Sequence, residues 1–153
     1  MNCTQQDFYI EARDYVLSNT ADMLIGGYSI SSQGTSLLKV FLAVSAAQSG
    51  SSQGNLNSFY SFVGSIWSQY SNSANPCNFL LNRYNHFNNQ LSNNTYSLAQ
   101  TLLKTAKRDY FAHMYNFCGC GTVPPVAPPP PAPNPPTQGA PTILPDERYD
   151  EGL

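Results

Sequence analysis

Apolar residues recur at helical spacing in five blocks of this chain, separated by polar and glycine-rich breaks. The block Leu37 to Ala47 reads Leu-Leu-Lys-Val-Phe-Leu-Ala-Val-Ser-Ala-Ala, apolar on every side of a helical wheel with Lys39 as its only charge. A helix that is apolar all round wants to be buried all round. This segment is therefore expected to be the central helix, with the others packed against it. Thr35 or Ser36 caps it in this reading, and it runs to about Ser49.

The other four blocks are amphipathic. Thr4-Gln5-Gln6-Asp7 resembles a capping box with Asp in the Glu/Gln position. Phe8, Ala12, Tyr15, Val16 and Met23 then share one helical stripe, and Gly26-Gly27 reads as a C-cap. A polar loop is expected from Tyr28 to Gly34. Past a flexible stretch at Gly50–Gly54, Leu56, Phe59, Tyr60, Val63, Ile66, Trp67 and Tyr70 line a third helix. Asn75-Pro76 is a cap followed by proline at the first helical position. The fourth helix then presents Leu80, Tyr84, Phe87 and Leu91. After the turn Ser92–Thr95, a fifth helix turns Ala99, Leu102, Leu103, Ala106, Tyr110, Met114 and Phe117 inward and stops at Gly119 and Gly121. No segment alternates with period two over more than a few residues. The expected fold class is all-α: a bundle of about five helices with an extended Pro-rich C-terminal arm.

Proline use divides the chain. Pro76 stands alone before residue 122, and eleven prolines lie from Pro124 to Pro145. The expected organisation is a helical bundle domain at 1–121, a Pro-rich extended linker at 122–141 and a C-terminal docking peptide at 142–153. Val123 to Pro136 favours polyproline II, and fourteen residues at about 3.1 Å each reach roughly 43 Å. In the last segment the apolar anchors Ile143, Leu144, Tyr149 and Leu153 alternate with charges including Arg148, as expected of a partner-binding peptide. Several PxxP registers occur, but no basic residue lies between Arg108 and Arg148, so a spacer is expected rather than a signalling ligand.

Charge divides at the same place. Residues 1–121 hold six cations and five carboxylates; the rest holds one cation and four carboxylates. A nearly neutral domain argues against binding driven by phosphates. Only 10% of residues are charged, against about 25% in typical soluble domains. Ser, Asn and Gln supply the polar surface, which suits a protein packed against neighbours. The first ten residues show no basic n-region, so no signal peptide is expected, and no apolar run reaches the roughly 20 residues of a membrane span.

Candidate chemistry is sparse. Cys118-Gly119-Cys120 places two thiols one residue apart near His113, but a zinc site needs a second pair, and only the distant Cys3 and Cys77 remain. Free thiols at a frayed helix end are expected, with no metal and no cofactor. The sequons at Asn2 and Asn93 matter only for a secreted chain. Residues 23–108 contain no carboxylate, which leaves little for acid–base catalysis, and an enzyme is not expected. Lys104, Lys107, Arg108, Phe111 and Tyr115 fall along one face of the fifth helix, a possible contact for nucleic acid or an acidic peptide; a solvated cationic face is the plainer expectation.

Together these features lead to the expectation of a structural or assembly protein: a virion subunit of capsid, neck or tail whose C-terminal arm docks on a neighbouring subunit. Its partners would be protein subunits, self or other. A cytoplasmic adaptor recruiting a partner through its C-terminal peptide, and a nucleic-acid-packaging protein using the basic helix face, are the alternatives.

Overall fold

The structure is a computed structural model and describes residues 3–49 and 53–123. Those residues form five helices and one small hairpin: α1 (Gln5–Asp14), β1 (Met23–Ile25), β2 (Tyr28–Ile30), α2 (Leu37–Ser49), α3 (Gln53–Asn72), α4 (Pro76–Asn93) and α5 (Leu98–Phe117). The protein is thus mostly helical, as its periodicity implies, with a two-stranded sheet added. The Pro-rich linker and the docking peptide lie outside the described residues.

Caps set the helix starts. At α1 the capping box forms in full: the Thr4 hydroxyl accepts from the Asp7 amide at 3.2 Å, and the Asp7 carboxylate accepts from the Thr4 amide at 2.8 Å. Asn75 caps α4 by accepting from the Asn78 amide, with Pro76 at the first position. Ser97 caps α5 by accepting from the Gln100 amide at 3.2 Å.

The first helix is shorter than its stripe suggests. It ends at Asp14, and the chain turns so that Leu17 is buried and its amide donates to the Thr35 carbonyl at 2.7 Å. Val16, placed on the inward stripe by spacing, is exposed. Met23 belongs to β1, which pairs antiparallel with β2 in the register Met23↔Ile30, Leu24↔Ser29 and Ile25↔Tyr28. Gly26 and Gly27 therefore form a hairpin turn and not a helix C-cap. Both have positive φ, 57° and 83°. A two-residue turn matching strand twist needs positive φ at both positions, and a helix C-cap needs it at one, so a Gly-Gly pair serves either.

The hairpin lies directly on α2. A Cβ on Gly26 would collide with the Ala43 carbonyl oxygen and come within 2.7 Å of the Ala47 amide nitrogen. On Gly27 it would meet nothing within 4 Å. This close approach drives Ile25 and Ile30 into the core.

The most deeply buried helix is α5, although α2 packs against α1, α3, α5 and β1 as a central helix would. Every residue from Leu102 to Phe111 is buried, polar and apolar alike. Helix α2 buries Leu37, Val40, Phe41, Ala43, Val44 and Ser45 but leaves Leu38, Lys39 and Leu42 half-exposed. Helix α5 packs most extensively on α4, with which it runs antiparallel, and on α2; α1 closes the bundle against α3, α2 and α5. The ring of Phe111 meets Phe62, Phe79 and Phe87, joining α3 and α4 through the centre.

Two substitutions test the hairpin seat. Gly27→Ala is expected to cost about 1 kcal/mol, from backbone conformation alone. Gly26→Ala adds a backbone collision and is expected to cost about 3 kcal/mol or more. Urea unfolding of both variants measures the difference; equal losses would mean that the hairpin does not sit on α2.

Candidate functional site

Three arrangements carry chemistry: the charged row inside α5, the α1–α5 contact around His113, and the turn that ends α5. The row comprises Lys104, Lys107, Arg108 and Asp109, with 2%, 1%, 5% and 6% of their surfaces exposed. The face proposed from spacing as a contact stripe is therefore not at the surface. Phe111 is fully buried with it, and Tyr115 is half-buried beside the C-terminal turn. Helical spacing places these five residues together correctly. It says nothing of whether neighbours cover them, and long cationic stems are apolar enough to be covered.

Each buried cation has a defined seat. Lys107 projects between three helices, its ammonium 5.6 Å from the ring of Phe41 on α2, 4.7 Å from Phe62 on α3 and 5.6 Å from Phe87 on α4. Those are cation–π distances, where the negative faces of the rings stabilise the charge. Lys104 donates to the Gln90 side-chain oxygen at 3.2 Å and stands 4.7 Å over the Tyr96 ring. Arg108 donates through Nε to Asp109 at 3.2 Å and through Nη1 to Asn88 at 3.3 Å. Burial, followed by the positive charges of Arg83, Lys104 and Lys107, pushes His86 below its ordinary value, which favours the neutral ring.

Asp109 is the acidic member of the row. Burial pushes its carboxyl above the usual carboxylate range, against the opposing pull of Arg108 and Asn19. Its Oδ2, Arg108 Nη2 and Thr20 Oγ1 are buried without a hydrogen-bond partner. Two adjacent side chains thus hold a short ion pair in a poorly hydrated setting, where each depends on the other.

At the α1–α5 contact, His113 Nε2 lies 2.7 Å from Glu11 Oε1, and the Tyr15 ring stacks on the imidazole with centroids 3.5 Å apart. Tyr110, on the same helix, donates its hydroxyl to the Phe8 carbonyl at 2.8 Å. A carboxylate that fixes a histidine ring is half of an acid–base arrangement. Here the face of the ring is covered by Tyr15, and the contact ties the first helix to the last. Glu11 and His113 are 102 residues apart, so no local spacing signals the pair.

The turn after α5 corrects the reading of the cysteines. All four are paired: Cys3 with Cys118 and Cys77 with Cys120. The expected free thiols at a frayed end are instead two half-cystines that fasten the end of α5 to the N-terminal segment and to the first turn of α4. The turn is ordered by backbone bonds, Cys118 amide to Met114 carbonyl and Cys120 amide to Tyr115 carbonyl, with Gly119 at φ 84°. The even cysteine count and the presence of one cysteine at each helix end to be joined were the sequence signals. Among the described residues, no group of three or more His, Cys, Asp or Glu is placed to hold a metal ion. No helix there is long and apolar enough to cross a membrane. The candidate partner-binding residues Ile143, Leu144, Arg148, Tyr149 and Leu153 lie outside the described residues.

Lys107→Ala is expected to cost about 3 kcal/mol, from a cavity at a four-helix junction and the lost ring contacts. Lys39→Ala, on a half-exposed site, should stay within about 0.5 kcal/mol. Denaturant unfolding of the pair checks this, and similar losses would contradict the buried seat of Lys107. Asp109 supplies a pH signature. Because its folded pKa is raised, the folded state holds its proton more tightly, so stability rises as pH falls from neutral through that folded value towards 3.8. Wild type should therefore gain stability relative to Asp109→Asn across that interval, read as the difference in unfolding midpoint.

No family model matches the chain, and no curated protein or solved structure matches it either.

Proposed function

We propose that this chain is a structural subunit of a larger assembly, of the virion type, whose Pro-rich C-terminal arm docks on a neighbouring subunit. The observation that carries the reading is the fastening of the arm's root. Both disulfides converge on Cys118-Gly119-Cys120, immediately before the proline-dense stretch. A spacer that only trails from a domain does not need a doubly anchored origin. A spacer that transmits the position of one subunit to the next does.

Surface chemistry supports the same reading. Three of the six cations of residues 1–121 are inside α5, so the outer surface carries even less charge than composition implies. Uncharged amide and hydroxyl groups lose less on desolvation than ions do. Tyr60 and Phe117 are large aromatics about half exposed, a residue type enriched at interfaces. Paired cysteines favour an oxidising setting such as a virion exterior over the cytosol, where thiols are kept reduced. That counts against the cytoplasmic adaptor. The interior position of Lys104, Lys107 and Arg108 counts against nucleic-acid packaging by that face.

Light scattering across a concentration series, with and without residues 122–153 and without reductant, tests the proposal. The full chain is expected to form oligomers and the truncated chain to remain a folded monomer. A full chain that is monomeric at every concentration would leave self-association without support, and equal oligomers in both forms would remove the arm from it.

A further inference from the structure

The Cys3–Cys118 disulfide spans 115 residues and encloses all five helices and the hairpin in one covalent loop. Its consequence is topological. Starting at the N-terminal segment, the covalent path reaches Cys3, crosses the sulfur–sulfur bond to Cys118 and leaves through the arm. The Cα atoms of the two cysteines are 5.3 Å apart, so this path is short. Everything between them hangs on the path as a closed loop. The geometry points to a tension-bearing role: a pull between the N-terminal segment and the C-terminal arm runs through Cys3–Cys118 and bypasses the bundle.

Two features fit this role. Without covalent fastening, a pull on the arm would reach the bundle at the C-terminal turn of α5. It would then peel the helix one turn at a time, the geometry in which hydrogen bonds are loaded singly and resist least. With it, peeling stops at Cys120 and Cys118, and load reaching the bundle from another direction is shared through Cys77 with the first turn of α4. The load-bearing bond also has one end in the core: Cys118 is buried, while Cys3, like Cys77 and Cys120, is half-buried.

Biological use of such a bypass rests on the docking arm proposed above. The bypass itself is a property of one chain and is tested on one chain. Optical-tweezer extension of the oxidised full chain, with handles at residues 1 and 153, is expected to show smooth stretching with no cooperative unfolding step. Handles at residues 60 and 153 on the same oxidised molecule enter through α3. They should release only the 17-residue span from Tyr60 to Cys77, roughly 60 Å. Adding reductant to the first arrangement should restore a step of roughly 400 Å, the length of 115 residues. In Cys3→Ser/Cys118→Ser, oxidised, the step should shrink to roughly 260 Å, the length of the 74 residues from position 3 to Cys77, where the remaining disulfide takes the load. A large unfolding step in the oxidised wild type pulled from residues 1 and 153 would overturn the inference. The comparison of the two handle positions needs no variant to fold. Loss of oligomers in light scattering would sink the docking reading while leaving the bypass standing.

Discussion

A row of charge lies inside this protein, and the way it is held sets the packing of α2, α3 and α4 around α5. Lys107 is its centre. One ammonium group on α5 faces a phenylalanine ring from each of α2, α3 and α4. Those helices must present their aromatic residues at the same level of the bundle for that seat to exist. Lys104, one turn before it, and Arg108, the next residue, are held mainly from α4 through Gln90 and Asn88. Burying charge costs far more than burying hydrocarbon unless the charge is paired or hydrogen-bonded. A helix with this content can be central only where its partners are placed as they are here. An alternative packing would strand an ion, so the row also acts against misassembly of the bundle.

This interior shapes both the exterior and the covalent frame. Cations withdrawn into α5 leave a surface of Ser, Asn and Gln with few charges, the kind of surface that desolvates at modest cost. A core that contains four ionisable side chains contributes less net stability than a purely apolar one of the same size. Two disulfides closing spans of 115 and 43 residues offset this, each by about 4–5 kcal/mol on the chain-entropy view. Both fasten the same turn. The fold is therefore closed most firmly where the Pro-rich segment begins, which is where a docking arm would load it.

Much of the fold was legible from local chemistry. The capping box at Thr4, the Asn75-Pro76 start and the stripe Leu80, Tyr84, Phe87 all describe features that one turn of helix decides for itself. Two readings failed for a shared reason. Gly26-Gly27 has the same backbone freedom in a hairpin as at a helix end, and only the approach of Ala43 distinguishes the two. Leu37–Ala47 is more apolar than α5, yet the more polar helix is the more deeply buried. Hydropathy measures what a side chain prefers in isolation, and Lys107 is held by three aromatic rings that lie elsewhere in the sequence.

The candidate sites divide in the same way. Sequence alone decides where helices start, which residues share a face, how charge is apportioned between residues 1–121 and the rest, and that eleven of the twelve prolines fall between residues 124 and 145. These depend on contacts within a few residues or on composition. Tertiary structure alone decides that Lys104, Lys107, Arg108 and Phe111 face inward, that Glu11 meets His113 across 102 residues, and that Cys3 and Cys77 come to the two sulfurs at the end of α5. Each of those joins elements far apart in the chain, and periodicity along one helix carries no information about what stands opposite it.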